Sequence, residues 1–166
     1  MQLKSQVEWA LHCCAVLSGL PAGRYLPTKA LAEFHGTPKE YLSKGLQALS
    51  QAGLVEGTLG PSGGYRLAKA PEEISFLDIV EAVEGREPTF KCTEIRQNIP
   101  CPDEPKTCTR RDEGRPCAIA RVMWDADRAW RDHLGNHTLA DLLKTLRRDL
   151  PAEQRQFAQA WILERS

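Results

Sequence analysis

Apolar positions recur at helical spacing along most of this chain and at strand spacing in one short stretch. Residues 3–18 carry Val7, Ala10, Leu11, Cys14, Ala15 and Leu17 on one side of a predicted amphipathic helix. A loop rich in glycine and proline follows, from Gly19 to Pro27. A short helix is expected over 29–35, with Thr28 as its cap. Thr37 and Glu40 have the spacing of a capping box, with Pro38 at the first position of the next helix. Tyr41, Leu42, Leu46 and Leu49 are that helix's periodic positions, and Gly53 suits a left-handed end. Leu54-Val55 and Tyr65-Arg66-Leu67 then flank Gly60-Pro61-Ser62-Gly63-Gly64, as two short strands flank a tight turn.

Helical spacing resumes at Ser75–Glu84 and is closed by Gly85. Residues 86–117 differ, with five prolines, four cysteines and little periodicity, so they read as a long irregular loop. A long helix is predicted from Ala118 to Leu134 through Ile119, Val122, Met123, Ala126, Ala129 and Trp130. Thr138 to Asp141 is a second capping-type start, leading to Leu142, Leu143 and Leu146. Pro151 opens a last helix with Phe157, Ala160, Trp161 and Ile162.

The fold class that follows is mainly α with a small β-wing: a winged helix-turn-helix plus a long dimerisation helix. The expected parts are a DNA-binding domain over 1–85, a cysteine-bearing loop over 86–117, and dimerisation and C-terminal helices over 118–166. In such a unit the second helix of the turn enters the major groove of double-stranded DNA. Lys39, Tyr41, Ser43, Lys44 and Gln47 would form its reading face, with the backbone at Ser62, Gly63 and Gly64 gripping phosphate. The long helix would join two copies and match them to a palindromic operator.

Charge changes this picture little. Lysine plus arginine number 22, as do aspartate plus glutamate, so the formal net charge is zero. The first 51 residues set Lys4, Arg24, Lys29, Lys39 and Lys44 against Glu8, Glu33 and Glu40, a modestly basic face. Nonspecific DNA affinity should be modest for the same reason. No apolar run approaches the roughly 20 residues that span a bilayer. The amino terminus lacks a signal-peptide core, so a cytoplasmic location is expected. No phosphate loop, nucleophile–base spacing or dinucleotide fingerprint argues for an enzyme.

Six cysteines in a cytoplasmic chain point first to metal binding or redox chemistry. Cys92, Cys101, Cys108 and Cys117 are 9, 7 and 9 residues apart, which matches neither a zinc ribbon nor a ferredoxin. Glu8 and His12 stand four apart on the first helix, on one face, where both can reach one metal centre. The alternative for that pair is an ordinary surface contact. Cys14 falls on the apolar side as a small core residue, and Cys13 points about 100° from His12.

The wing GPSGGYRL, the helix FLDIVEAVEG and the cysteine loop entering a helix resemble the Rrf-type family of bacterial winged-helix iron–sulfur regulators, the IscR/NsrR/RsrR family. The likeness spans nearly the whole chain. It is strongest to the RsrR branch, through VEWALHCC at 7–14, CTEIRQ at 92–97, CAIARVM at 117–123 and AWILE at 160–164. The resemblance implies a homodimeric, redox-sensing repressor carrying a [2Fe–2S] cluster. Where another branch has a histidine three residues after the last cysteine, this chain has Ala120. The implied ligands are Glu8 and His12 on one iron, from the opposite protomer, and Cys108 and Cys117 on the other, with Cys92 or Cys101 as substitutes for Cys108. Protonatable Glu8 and His12 ligands would couple electron gain to proton uptake. Leu59 stands where relatives place a basic or polar wing residue, and a leucine cannot read the hydrogen-bond pattern of the minor groove. A metal-free regulator of the same fold that senses through thiol–disulfide exchange, and a zinc brace in the loop, remain open.

Overall fold

The computed structural model describes residues 2–60, 63–98 and 116–166. Among them the elements run α1 (Ser5–Leu17), α2 (Thr28–His35), α3 (Lys39–Gln51), β1 (Val55–Thr58), β2 (Gly64–Leu67), α4 (Phe76–Glu84), α5 (Ala118–Gly135), α6 (Leu139–Asp149) and α7 (Ala152–Arg165). Short 3-10 turns occur at Pro71–Glu73 and Ile95–Asn98. The strands pair antiparallel, with Val55 opposite Leu67 and Thr58 opposite Gly64. This is the mainly helical winged fold that the periodicity implies.

The described chain falls into two compact units, Met1–Arg86 with Leu134–Ser166, and Glu87–His133. The first holds the main core. Ala10, Cys13, Cys14 and Leu17 of α1 meet Leu31 of α2, Leu42, Leu46 and Leu49 of α3, and Ile79 of α4. The core also takes in Leu139 of α6 and Ile162 of α7. The sequence pattern groups those two helices with α5, but Leu139 has no exposed surface and α7 lays Trp161 edge-on to Phe34 at 5.2 Å. An extended bridge between Ser75 and Thr138 ties the start of α4 to the start of α6, with Leu139 N–H donating to the Ile74 carbonyl at 2.8 Å.

Helix ends show which local signals held. At Ser75 the hydroxyl accepts from Asp78 N–H at 3.1 Å, and the Asp78 carboxylate accepts from Ser75 N–H at 2.8 Å. Thr138 and Asp141 form the same reciprocal cap. The expected box at Thr37 and Glu40 does not form. Thr37 N–H is already donated to the Ala32 carbonyl at 3.0 Å, closing α2 over Gly36 at φ +60°, and its hydroxyl turns back to the His35 carbonyl. Helix α3 therefore starts behind Pro38 without a side-chain cap. Thr28 likewise lies inside α2, behind Pro27, and caps nothing. Gly53, at φ +68°, does end α3, with Leu54 N–H reaching the Leu49 carbonyl and Gly53 N–H the Ser50 carbonyl.

In the second unit, residues 87–91 lie along α5. Thr89 Oγ1 donates to Asp127 at 2.8 Å, Arg131 reaches the Glu87 carbonyl at 3.0 Å, and Trp124 Nε1 reaches the Phe90 carbonyl at 3.4 Å. Ile119 and Val122 are strongly exposed on α5, with Met123 beside them.

Leu139→Ala should cost about 2–5 kcal/mol, as expected for a core leucine, measured by chemical denaturation. Gly64→Ala should also destabilise, because an added Cβ would sit 2.3 Å from the Leu26 carbonyl.

Candidate nucleic-acid interface and metal-ligating face

Helices α2 and α3 meet at Gly36-Thr37, so α3 is the second helix of a helix-turn-helix. Lys39, Tyr41, Lys44 and Gln47 are exposed on it, and neither lysine is ion-paired among the described residues. Ser43 is half-buried, and its hydroxyl donates to the Lys39 carbonyl of its own helix at 2.9 Å. In the wing, Gly63 N–H is donated to the Gly60 carbonyl at 2.9 Å and Gly64 is buried, while Ser62 lies outside the described residues. Leu59, at the end of β1, is fully exposed.

Helix α1 sits behind this reader and carries the second candidate site. Glu8 and His12 both face solvent one turn apart, and among the described residues Glu8 makes no hydrogen bond or ion pair. Between them in sequence, Trp9 is half-buried and packs its ring 5.6 Å from that of Tyr41 on α3. The His12 ring lies 5.6 Å from that of His35, the last residue of α2. Among the described residues His35 Nε2 is buried without a hydrogen-bond partner, and burial, then the charge of His12, holds its pKa below the ordinary value.

The cysteines divide sharply. Cys13 and Cys14 are both core residues, and burial pushes their thiols up to about 12. The helical wheel places Cys14 in the core and misses Cys13, which α3 and its neighbours also cover. Cys117 stands one residue before α5. The amides of Ala120 and Ile119 hold its pKa below the ordinary value, and against desolvation the charge of Arg96 adds to that effect while Glu94 opposes it. Cys92 differs. The Glu94 amide favours its thiolate, but desolvation, the Glu94 carboxylate and the charge of Cys117 outweigh that and raise it. Its thiol donates to Glu94 at 3.5 Å, and Glu94, at a left-handed φ of +53°, also binds Arg96 at 2.7 Å. Cys101 and Cys108 lie outside the described residues.

As donors, these groups fit an iron–sulfur centre. An exposed carboxylate and imidazole share one face of α1, and Cys117 is biased toward the thiolate that a metal requires. No described cluster of three ligating side chains is preformed. The helix expected from Ala118 forms, and it sets the Ile119 and Ala120 amides against Cys117, which residue spacing alone does not display.

A helix-turn-helix followed by an antiparallel wing defines a winged-helix transcriptional regulator. Residues 3–145 match the family described as Rrf2, iron-dependent transcriptional regulator, and the chain belongs to that family. The transcriptional regulator NsrR of Halalkalibacterium halodurans is 30% identical over 143 residues, covering 86% of this chain and 90% of NsrR. CymR, the global cysteine regulator of B. subtilis, has the same fold, with a TM-score of 0.65 and 21% identity over 87% of this chain and 98% of that one. So does IscR of T. potens, at 0.64 and 21% over 94% and 96%. The family consists of transcriptional regulators with a DNA-binding fold, and this chain is not an enzyme. Among the described residues no helix is long and apolar enough to cross a membrane.

In metal-stripped protein, Cys117 should alkylate with iodoacetamide at neutral pH well before Cys13 and Cys14, since its lowered pKa leaves more thiolate there. Peptide mass mapping against time checks the order. Labelling of Cys13 or Cys14 first would contradict the burial pattern.

Proposed function

We propose that this protein is a redox-sensing repressor, a homodimer that binds a palindromic operator under the control of a [2Fe–2S] cluster. The observation that carries this reading is the exposed Glu8–His12 pair on α1, the helix whose opposite side packs against the recognition helix α3. Glu8 and His12 of one protomer would hold one iron, and Cys108 and Cys117 of the other protomer the second. The family's iron-dependent description supports a metal, and Ala120 leaves the position three residues after Cys117 without a ligand. The group supplies a one-electron store whose potential rises when imidazole replaces thiolate.

This chain's residues do the rest. Glu8 and His12 anchor α1, and Trp9 carries a shift of that helix to Tyr41 on α3. With the group bound, His12 would hold it through one ring nitrogen and offer the other as the place for a proton. Ile119, Val122 and Met123 supply an apolar face on α5 for a second copy. Lys39, Tyr41, Lys44 and Gln47 then meet base edges and phosphates of each half-site.

A second reading has its own support. The Cys117 thiol is held below its ordinary pKa and its charge is one of the causes that raise Cys92, as suits a thiol–disulfide sensor, and the fold-mate CymR is a cysteine regulator. Anaerobic purification separates the two. The cluster reading expects a coloured protein with iron and acid-labile sulfide in equal amounts, lost in His12→Ala and Cys117→Ala. A colourless, iron-free protein that loses DNA affinity on oxidation favours the thiols.

With the cluster in place, the midpoint potential should fall by about 59 mV per pH unit, one proton per electron. A pH-independent potential would remove the proton from the mechanism.

A further inference from the structure

The wing presents an unusual surface for a DNA reader. Its only charged residues from Val55 to Leu67 are Glu56 and Arg66, and these pair with each other across the strands, with Arg66 also stacked 4.8 Å over the Tyr25 ring. The wing therefore offers no unpaired charge to a phosphate or a base edge. What it offers is Leu59, whose side chain is left wholly in water although burial would be favourable.

The support beneath Leu59 is firm. Leu26 and Tyr65 exchange two backbone hydrogen bonds of 3.0 Å, fastening β2 to the loop before α2. Thr58 pairs with Gly64, and Gly60, at φ +110°, turns the chain immediately after Leu59. An apolar side chain at the end of a braced strand, beside a helix that enters the major groove, matches one mode of DNA contact. Minor-groove proteins either read with Arg, Lys, Asn or Gln, or insert apolar wedges that unstack a base step and kink the duplex. This wing lacks the means for the first.

We propose that Leu59 is an apolar wedge that enters the minor groove flanking each half-site and partly unstacks one base step. It sets a preference through deformability rather than hydrogen bonding. The favoured step is pyrimidine–purine, the cheapest to unstack. The inference rests on the reading of α3 and the wing as a DNA interface.

The test is selection from a duplex library with a randomised centre, using anaerobically purified wild-type protein, Leu59→Ala and Leu59→Arg. Wild type should enrich a pyrimidine–purine step at a fixed distance outside each half-site and bend the selected duplex, read by end-to-end energy transfer. Leu59→Ala should lose that step and the bend and bind about tenfold more weakly, the scale of one buried leucine. Its salt dependence should match wild type, because no charge is removed. Leu59→Arg should move the selected flank to A·T runs and steepen the slope of log affinity against log salt by about 0.9 per added contact. Unchanged flank, affinity and bend in Leu59→Ala overturn the wedge. So does a lower melting temperature of that variant, which would mean that Leu59 packs within the protein. A library from which wild type enriches nothing overturns the DNA reading, and the wedge with it.

Discussion

The packing of α1 against α3 is the constraint on which the first unit depends. Ala10, Cys13, Cys14 and Leu17 on one helix, and Leu42, Leu46 and Leu49 on the other, share a single buried cluster. Gly45 of α3 is buried on that side, facing the Gln6 carbonyl of α1, so the two backbones approach closely. Interiors packed at this density transmit displacement instead of absorbing it.

That arrangement leaves the helix pair two exposed faces with one core between them. Glu8 and His12 occupy the outer side of α1, while Lys39, Tyr41, Lys44 and Gln47 occupy the outer side of α3. Trp9 and Tyr41 meet at the rim. The bridge from Leu26 to Tyr65 ties strand β2 of the wing to the loop before α2. Both α4 and α6 reinforce it through reciprocal caps at Ser75 and Thr138, and Lys4 N–H donates to Glu84 at 2.6 Å, joining the start of α1 to the end of α4.

The cysteines show how place determines chemistry. Cys13 and Cys117 are the same residue type in the same chain. One is surrounded by aliphatic side chains that push its thiol up; the other lies beside two helix amides that hold its pKa below the ordinary value. Adjacent Cys13 and Cys14 are both core residues because α1 is covered on two sides, by α3 and by α4, which widens the buried stripe beyond one helical face.

The sequence alone determined the elements and the winged topology. Apolar spacing placed all seven described helices, glycine marked the ends at Gly53 and Gly85, and the Ser75–Asp78 and Thr138–Asp141 spacings were true caps. These are local properties, set by residues within one or two turns of each other. Tertiary structure alone decided that α6 and α7 would join the first core and that Cys13 would be buried beside Cys14. Both outcomes depend on apolar surface that distant segments share only once the chain has folded, and no spacing along the chain records that sharing.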